Sequence, residues 1–268
     1  MSTRRLVMGQ VYRRVTNSDI HGVHELRQWA CWPNARVARA HPPDQWRFAP
    51  GPACPSRSLG DVATTLTVEI VQNAEKERLP GDPGLTDLGL QQAVATARWL
   101  DRGGRLVGVW SSPARRALES ARPIAQQFGV ALRTDPRLRE RMNWDDPGVQ
   151  SMENFLDEWR TTSQDRSYLP RSGDSSRQAA SRFLAVLAEI VADHPAGRAI
   201  VVTHGGVTTD LLRDVLGDAG LRSRAPSLIE EGVPCCGVTT LAATAGGWAV
   251  KSIAACDHVT EGSSHRPA

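Results

Sequence analysis

Three separated segments of the sequence carry side chains that could bind an anion and move protons. Arg116 follows Ser-Ser-Pro, Glu140 stands between two arginines, and His204 precedes two glycines. A guanidinium offers five fixed N–H donors, which suits a buried phosphate, and an imidazole changes its charge near pH 7. Each residue also has an ordinary explanation: Arg116 as a solvated helix charge, His204 as a histidine packed at a strand end, and Glu140 as a surface ion-pair partner. Their assignment therefore depends on the elements that position them.

Alternating strands and helices surround these segments. From Leu66 onward, apolar runs are separated by helical patterns, which predicts an α/β fold with a mostly parallel central sheet. Strands are predicted at 66–71, 107–110, 199–202, 238–242 and 248–253, and helices at 87–100, 113–128, 177–191 and 207–216.

The helix ends carry capping signals. Thr86 is expected to cap the first helix, whose apolar face is predicted to contain Leu88, Ala95 and Leu100. The Ser-Ser-Pro at 111–113 is expected to supply a cap and a first-turn proline for the second helix. Asp174 or Ser175 is expected to cap the third.

The chain is predicted to divide into residues 1–64, 65–260 and 261–268. The first segment is rich in arginine and interrupted by prolines, which favours a poorly ordered extension over a basic arm that contacts nucleic acid or a protein. The last is predicted to be a disordered tail. A net charge of +3, with 23% charged residues, gives no reason to expect nucleic acid or an acidic membrane as a partner.

The cysteines and the apolar runs indicate the cellular compartment of the protein. Five cysteines are present without paired C-x-x-C spacing, which fits a reducing compartment. No run approaches the roughly 18 apolar residues of a membrane span, and no apolar signal-peptide core follows the N-terminus. We expect a cytoplasmic protein that does not enter the membrane.

Four segments, taken in order, resemble the signatures of the histidine phosphatase superfamily, which includes phosphoglycerate mutases and phosphomonoester hydrolases. Residues 71–75 (Val-Gln-Asn-Ala-Glu) stand where Arg-His-Gly-Glu is usual, and residues 85–93 match the L-T-x-x-G-x-x-Q-A that follows. Residues 111–117 match S-S-P-x-x-R-A, 138–140 match L-x-E, and 201–206 end a strand with Thr-His-Gly-Gly. The resemblance covers roughly residues 66 to 258 and implies a three-layer α/β/α sandwich.

The resemblance also implies roles for individual residues. In the family a histidine attacks phosphorus and forms a phosphohistidine, without a metal or another cofactor. Arg116 and His204 would bind the phosphate, and Glu140 would protonate the leaving oxygen. Gln72 replaces the usual arginine, Asn73 the nucleophilic histidine and Ala74 the glycine.

These substitutions affect binding and catalysis differently. The lone pair of an amide nitrogen is delocalised, so Asn73 is not expected to attack phosphorus. Gln72 can still donate a hydrogen bond to phosphate but carries no charge. We therefore expect a domain that binds a phosphorylated or anionic small molecule and has little covalent phosphatase activity.

Two other hypotheses stay open. The protein could be an active phosphomonoesterase that uses a non-standard mechanism, with water activated by His204 or with Lys76 or Thr203 as nucleophile. It could instead be a non-catalytic scaffold that binds a partner through its basic arm. The segment from about Trp144 to Arg177 is expected to select the substrate, with Ser172, Ser175 and Arg177 as candidate contacts. The sequence specifies neither the substrate nor the oligomeric state.

Overall fold

A six-stranded sheet forms the centre of the structure, which is a computed structural model describing residues 65–144 and 151–260. The strands are β1 (Leu66–Gln72), β2 (Leu106–Ser111), β3 (Leu132–Thr134), β4 (Gly197–Thr203), β5 (Val238–Thr244) and β6 (Gly247–Ala255). The helices are α1 (Asp87–Leu100), α2 (Arg115–Phe128), α3 (Met152–Gln164), α4 (Ser176–Asp193), α5 (Gly205–Arg224), α6 (Leu228–Glu231) and α7 (Asp257–Thr260). The predictions for 1–64 and 261–268 lie outside the described residues.

The sheet is mostly parallel, as predicted. The strand order is β3-β2-β4-β1-β5-β6. Strands β3, β2, β4 and β1 pair in parallel, whereas β5 pairs antiparallel with both β1 and β6. Strand β5 therefore runs against the other five.

Helices cover both faces of the sheet, because the central strands bury side chains on each side. Along β1, Leu66, Val68 and Ile70 pack in one core with α4 and α5. Along β4, Ile200 and Val202 pack in a second core with α1 and α2. The three-layer α/β/α prediction is confirmed. None of the helices in the described ranges is both long and apolar enough to span a lipid bilayer.

Two of the predicted caps are confirmed and one is wrong. The hydroxyl of Thr86 accepts from Gly89 N at the start of α1, and Ser175 forms a capping box with Gln178 at the start of α4. Helix α2, however, begins at Arg115 after Ala114, which offers no side-chain cap, and the Asp82 carboxylate accepts from Arg115 N at 2.9 Å instead. Ser112 Oγ accepts from Ala114 N, at 3.3 Å and one residue before the helix, and is also hydrogen-bonded to His204.

The helices and strands differ from the predictions in four respects. Leu88 is 50% exposed, and the buried face of α1 consists of Gly89, Ala93, Thr96, Ala97 and Leu100. Four of these five residues are smaller than leucine, and their small side chains let α1 lie close to α2. Helix α3 and strand β3 were not predicted. Helix α5 extends past the predicted end at Leu216, but Gly217 interrupts it with a φ of 69°.

Candidate functional site

The candidate site lies where three neighbouring parallel strands end. Asn73 follows β1, Ser112 follows β2 and His204 follows β4. Since Gln72 pairs with Thr203 and Ser111 pairs with Val202, the three residues stand side by side at one edge of the sheet, the usual location of ligands in open α/β sheets. All three are buried, with exposures of 4%, 0% and 2% respectively.

A hydrogen-bonded chain joins these three side chains. Asn73 Nδ2 donates to the Ala74 carbonyl at 2.9 Å, so Asn73 Oδ1 faces His204 Nδ1 at 3.1 Å. His204 Nε2 lies 2.8 Å from Ser112 Oγ. Because Oδ1 can only accept, we infer that Nδ1 carries the ring hydrogen and that Nε2 accepts from the Ser112 hydroxyl.

Burial and nearby cations keep His204 neutral. Burial is the main cause that holds its pKa well below the usual value, and the charges of Arg116, Arg182, Arg139 and Lys76 add to it in that order. In a neutral ring with its hydrogen on Nδ1, Nε2 is the acceptor for the Ser112 hydroxyl. His204 is therefore a neutral imidazole whose two nitrogens are both hydrogen-bonded within the protein.

Gln72 replaces the arginine usual in the family and lies against the start of α5. A Cβ placed on Gly205 would lie 3.2 Å from both Gln72 Nε2 and Gln72 Oε1, so the glycine allows this close approach. Gln72 Oε1 is buried without a hydrogen-bond donor among the described residues. This amide oxygen can accept from a ligand hydroxyl or from water.

Glu140 holds the N-terminus of α5. Its Oε2 accepts from Gly206 N at 2.9 Å, and its Oε1 accepts from Val207 N at 2.7 Å and from Arg141 N at 2.9 Å. A carboxylate in this position satisfies helix N–H groups that have no partner within the helix, and it interacts favourably with the helix dipole. These contacts suit a helix cap, while the proton-donor role stays a prediction.

The residue after Glu140 is anchored by a buried ion pair. Arg141 Nη1 lies 3.1 Å from Asp210 Oδ1, with both side chains at most 3% exposed. The guanidinium also stacks over the Trp159 ring at 3.8 Å. The Trp159 ring also packs against Gly206 at the start of α5. A Cβ added to this glycine would lie only 2.5 Å from the ring. Helix α3 thus covers the Glu140 side of the site.

Arg116 is the buried cation of the site. It lies in the first turn of α2 and is 4% exposed. Its Nη2 donates to Asn143 Oδ1 at 2.7 Å, and its Nη1 lies 3.7 Å from the Asp82 carboxylate. The loop that holds Asp82 and the segment around Asn143 are joined by a hydrogen bond from Gly81 N to the Trp144 carbonyl at 3.3 Å. These two segments therefore cover the guanidinium.

Two candidate nucleophiles from the sequence have different surroundings. The hydroxyl of Thr203 donates to the Leu138 carbonyl at 2.7 Å, so it has a structural partner. Lys76 is half-buried in the loop after β1, and its pKa is lowered to about 8, mainly by burial and next by Arg116. Lys76 therefore belongs to the cationic surroundings of the site.

Two of the predicted substrate contacts, Ser175 and Arg177, and one histidine without a predicted role have structural contacts or exposed positions. Ser175 forms the capping box described above, and Arg177 is exposed. His258, near the end of the described chain, stacks on Trp99 at 4.5 Å and lies 3.0 Å from Thr96 Oγ1. Burial is the main cause that lowers the His258 pKa to about 4. His258 fixes α7 onto α1.

Sequence reasoning missed the bond between Ser112 and His204. The Ser-Ser-Pro pattern predicts a helix cap, and nothing local indicates a histidine partner 92 positions further along the chain. The available signal was topological: both residues directly follow predicted parallel strands, whose carboxyl ends meet at one edge of a sheet.

Comparison with known proteins identifies the family of this chain. The model of the histidine phosphatase superfamily (branch 1) matches residues 70–255. The chain therefore belongs to the histidine phosphatase superfamily.

Relatives within the superfamily include several phosphatases. The chain is 35% identical over 131 residues to the metal-independent phosphoserine phosphatase of Arabidopsis thaliana, covering 46% of this chain and 54% of that protein. It is 33% identical over 144 residues to the glucosyl-3-phosphoglycerate phosphatase of Mycobacterium tuberculosis, covering 48% and 63%. The matches thus span less than two thirds of these two relatives.

A solved structure gives a longer match. The mycobacterial glucosyl-3-phosphoglycerate phosphatase in complex with inorganic phosphate superimposes with a TM-score of 0.58 at 25% identity, covering 72% of this chain and 98% of that one.

Proposed function

We propose that this domain binds a phosphorylated or otherwise anionic small molecule at Arg116 and forms no phosphohistidine. The observation that carries the proposal is Asn73, which stands where the family has its nucleophile. Its amide nitrogen donates to the Ala74 carbonyl and its oxygen accepts from His204. An amide bound in this way has neither the lone pair nor the freedom to attack phosphorus.

Charge supports the binding part of the proposal. Arg116 is almost fully buried and currently donates to the neutral Asn143 amide. A phosphate oxygen is a stronger acceptor than an amide oxygen, because charge-assisted hydrogen bonds are shorter and stronger than neutral ones. An anion that displaces Asn143 would therefore gain a close partner in Arg116.

The first ligands to test follow from the named relatives. Their names refer to phosphoserine and glucosyl-3-phosphoglycerate, so these two compounds should be titrated into the purified protein beside inorganic phosphate. Arg116→Ala is expected to abolish binding.

Steady-state hydrolysis of an aryl phosphate tests the catalytic part. The wild-type protein, Arg116→Ala and a triple variant carrying Gln72→Arg, Asn73→His and Ala74→Gly should be compared. We expect turnover only from the triple variant, because it regains a nucleophile and a second cation. Wild-type turnover that Arg116→Ala abolishes would refute the proposal.

A second candidate function is phosphomonoester hydrolysis by a different nucleophile. The hydrogen-bonded chain of Asn73, His204 and Ser112 favours it, since a neutral imidazole accepts from a hydroxyl and an amide orients the ring. In this mechanism Ser112 Oγ attacks phosphorus while His204 Nε2 takes its proton, the ester P–O bond breaks, and the imidazolium passes the proton to the leaving oxygen. Water, deprotonated by His204, then hydrolyses the phosphoserine and releases phosphate. Ser112 is fully buried, so the substrate would have to open the site.

Ser112→Ala separates the two candidates. If Ser112 is the nucleophile, the variant loses turnover and keeps phosphate binding. If the domain only binds, the wild-type protein shows no turnover for the variant to lose.

A further inference from the structure

Lys76 occupies a fixed position beside the site. Its backbone bridges Leu85, and Glu77 N donates to the Gly84 carbonyl at 2.9 Å, so the loop after β1 folds back on itself. Lys76 Nζ donates a weak hydrogen bond to the Glu77 carbonyl at 3.4 Å. Within the described residues no carboxylate pairs with this ammonium group.

Charged groups of both signs surround Lys76: Glu75 and Glu77 flank it in the sequence, and Asp82 on the same loop lies 3.7 Å from Arg116 Nη1. Arg116 approaches it from α2 and Arg78 from its own loop, and both oppose its protonation. Lys76 in turn is one of the cations that keep His204 neutral. Two cations brought together in a partly buried site repel each other, and an anion bound between them would remove that repulsion.

We propose that Lys76 binds the anion together with Arg116 and supplies the positive charge that Gln72 lacks, so that the pocket takes a dianionic phosphate monoester. This inference rests on the proposed function and adds a specific binding residue to it. The sequence places Lys76 three residues after Asn73, on the loop that also holds Asp82.

The assignment predicts how affinity depends on pH. A bound dianion stabilises the ammonium form, so it raises the pKa of Lys76 above the value of about 8 in the free protein. Below pH 8 Lys76 is already charged, and above it binding must take up a proton. Affinity should therefore fall as the pH rises from 7.5 to 9. His204 stays neutral over this range, because burial holds its pKa well below the usual value.

Isothermal titration with inorganic phosphate at pH 7.5 and pH 9 tests the assignment. The proteins are the wild type, Lys76→Met, Lys76→Arg and, as a control, Lys251→Met, which changes an exposed lysine on β6. We expect Lys76→Met to weaken binding at pH 7.5 by about tenfold or more, the size of one charge-assisted contact, and to lose the pH dependence. Lys76→Arg should bind equally well at both pH values. Lys251→Met should behave as the wild type.

Two results would contradict the assignment in distinguishable ways. In the first, Arg116→Ala abolishes phosphate binding, but Lys76→Met changes neither its affinity nor its pH dependence. This result overturns the role of Lys76 and leaves the proposed function standing. A wild-type protein that binds no phosphate overturns both. Thermal melting of Lys76→Met checks its fold, which should be unaffected because the side chain is only half-buried.

Discussion

Replacing Glu140 by glutamine tests whether this residue is a helix cap or a proton donor. The carboxylate accepts three backbone N–H bonds, two of them from the first turn of α5. A glutamine can keep Oε1 with its two donors, but its NH2 group then faces Gly206 N. One buried N–H is left without an acceptor, which costs about 1–3 kcal/mol. Loss of the charge at the helix N-terminus adds roughly 0.3–2 kcal/mol.

The sum is a loss of about 1–5 kcal/mol in the free energy of unfolding, measured by urea denaturation with an unchanged m-value. It corresponds to a fall in Tm of roughly 3–20 °C for a domain of this size. Glu231→Gln, at an exposed site in α6, should change the free energy of unfolding by less than about 0.5 kcal/mol. Our reasoning is refuted if Glu140→Gln is as stable as the wild type and, placed in the triple variant, lowers only the rate of hydrolysis.

Three further predictions concern stability. Gly206→Ala should cost about 1–3 kcal/mol in urea unfolding because its Cβ meets an indole ring at 2.5 Å, whereas Gly246→Ala, with no atom within 4 Å, should be neutral. Arg141→Met should cost about 3–5 kcal/mol because Asp210 is then a buried charge without its partner, and adding Asp210→Asn should recover part of the loss. Between pH 6.5 and 5 the unfolded chain protonates both His204 and His258, whereas burial keeps both neutral in the native state. The free energy of unfolding should therefore fall with decreasing pH by up to about 1.4 kcal/mol per unit for each of the two residues, and His204→Gln should remove about half of this slope.

The sequence predicted the parts of the fold that depend on short-range patterns. Strand β4 contains a continuous apolar run and β1 an alternation of apolar and polar residues, and both strands were predicted within one or two residues of their bounds. Helix α3 was missed because only Phe155, Glu158 and Thr162 are buried in it, so no apolar periodicity marks it. Its position depends on tertiary contacts, among them the stacking of Trp159 with Arg141.

The positions of the site residues could be predicted, but their contacts could not. The motifs locate Arg116, Glu140 and His204, and the structure brings all three to the edge of the sheet near Asn73. The partners come from distant segments: Glu140 accepts from N–H groups 66 and 67 positions away, and Ser112 meets His204 only because β2 and β4 are neighbours. When a side chain has several possible hydrogen-bond partners, the fold decides which of them it contacts. The local sequence does not encode this proximity.

The pairing of β1 with β4 has a consequence for when the site forms. The contact between Asn73 and His204 joins residues 131 positions apart, and such long-range parallel pairings form slowly because a large loop must close first. A nascent chain therefore has no site until β4 and the start of α5 have been synthesised and paired with β1. Ligand binding would report completed folding of the whole domain, and a phosphate analogue added during refolding should act only on the last step.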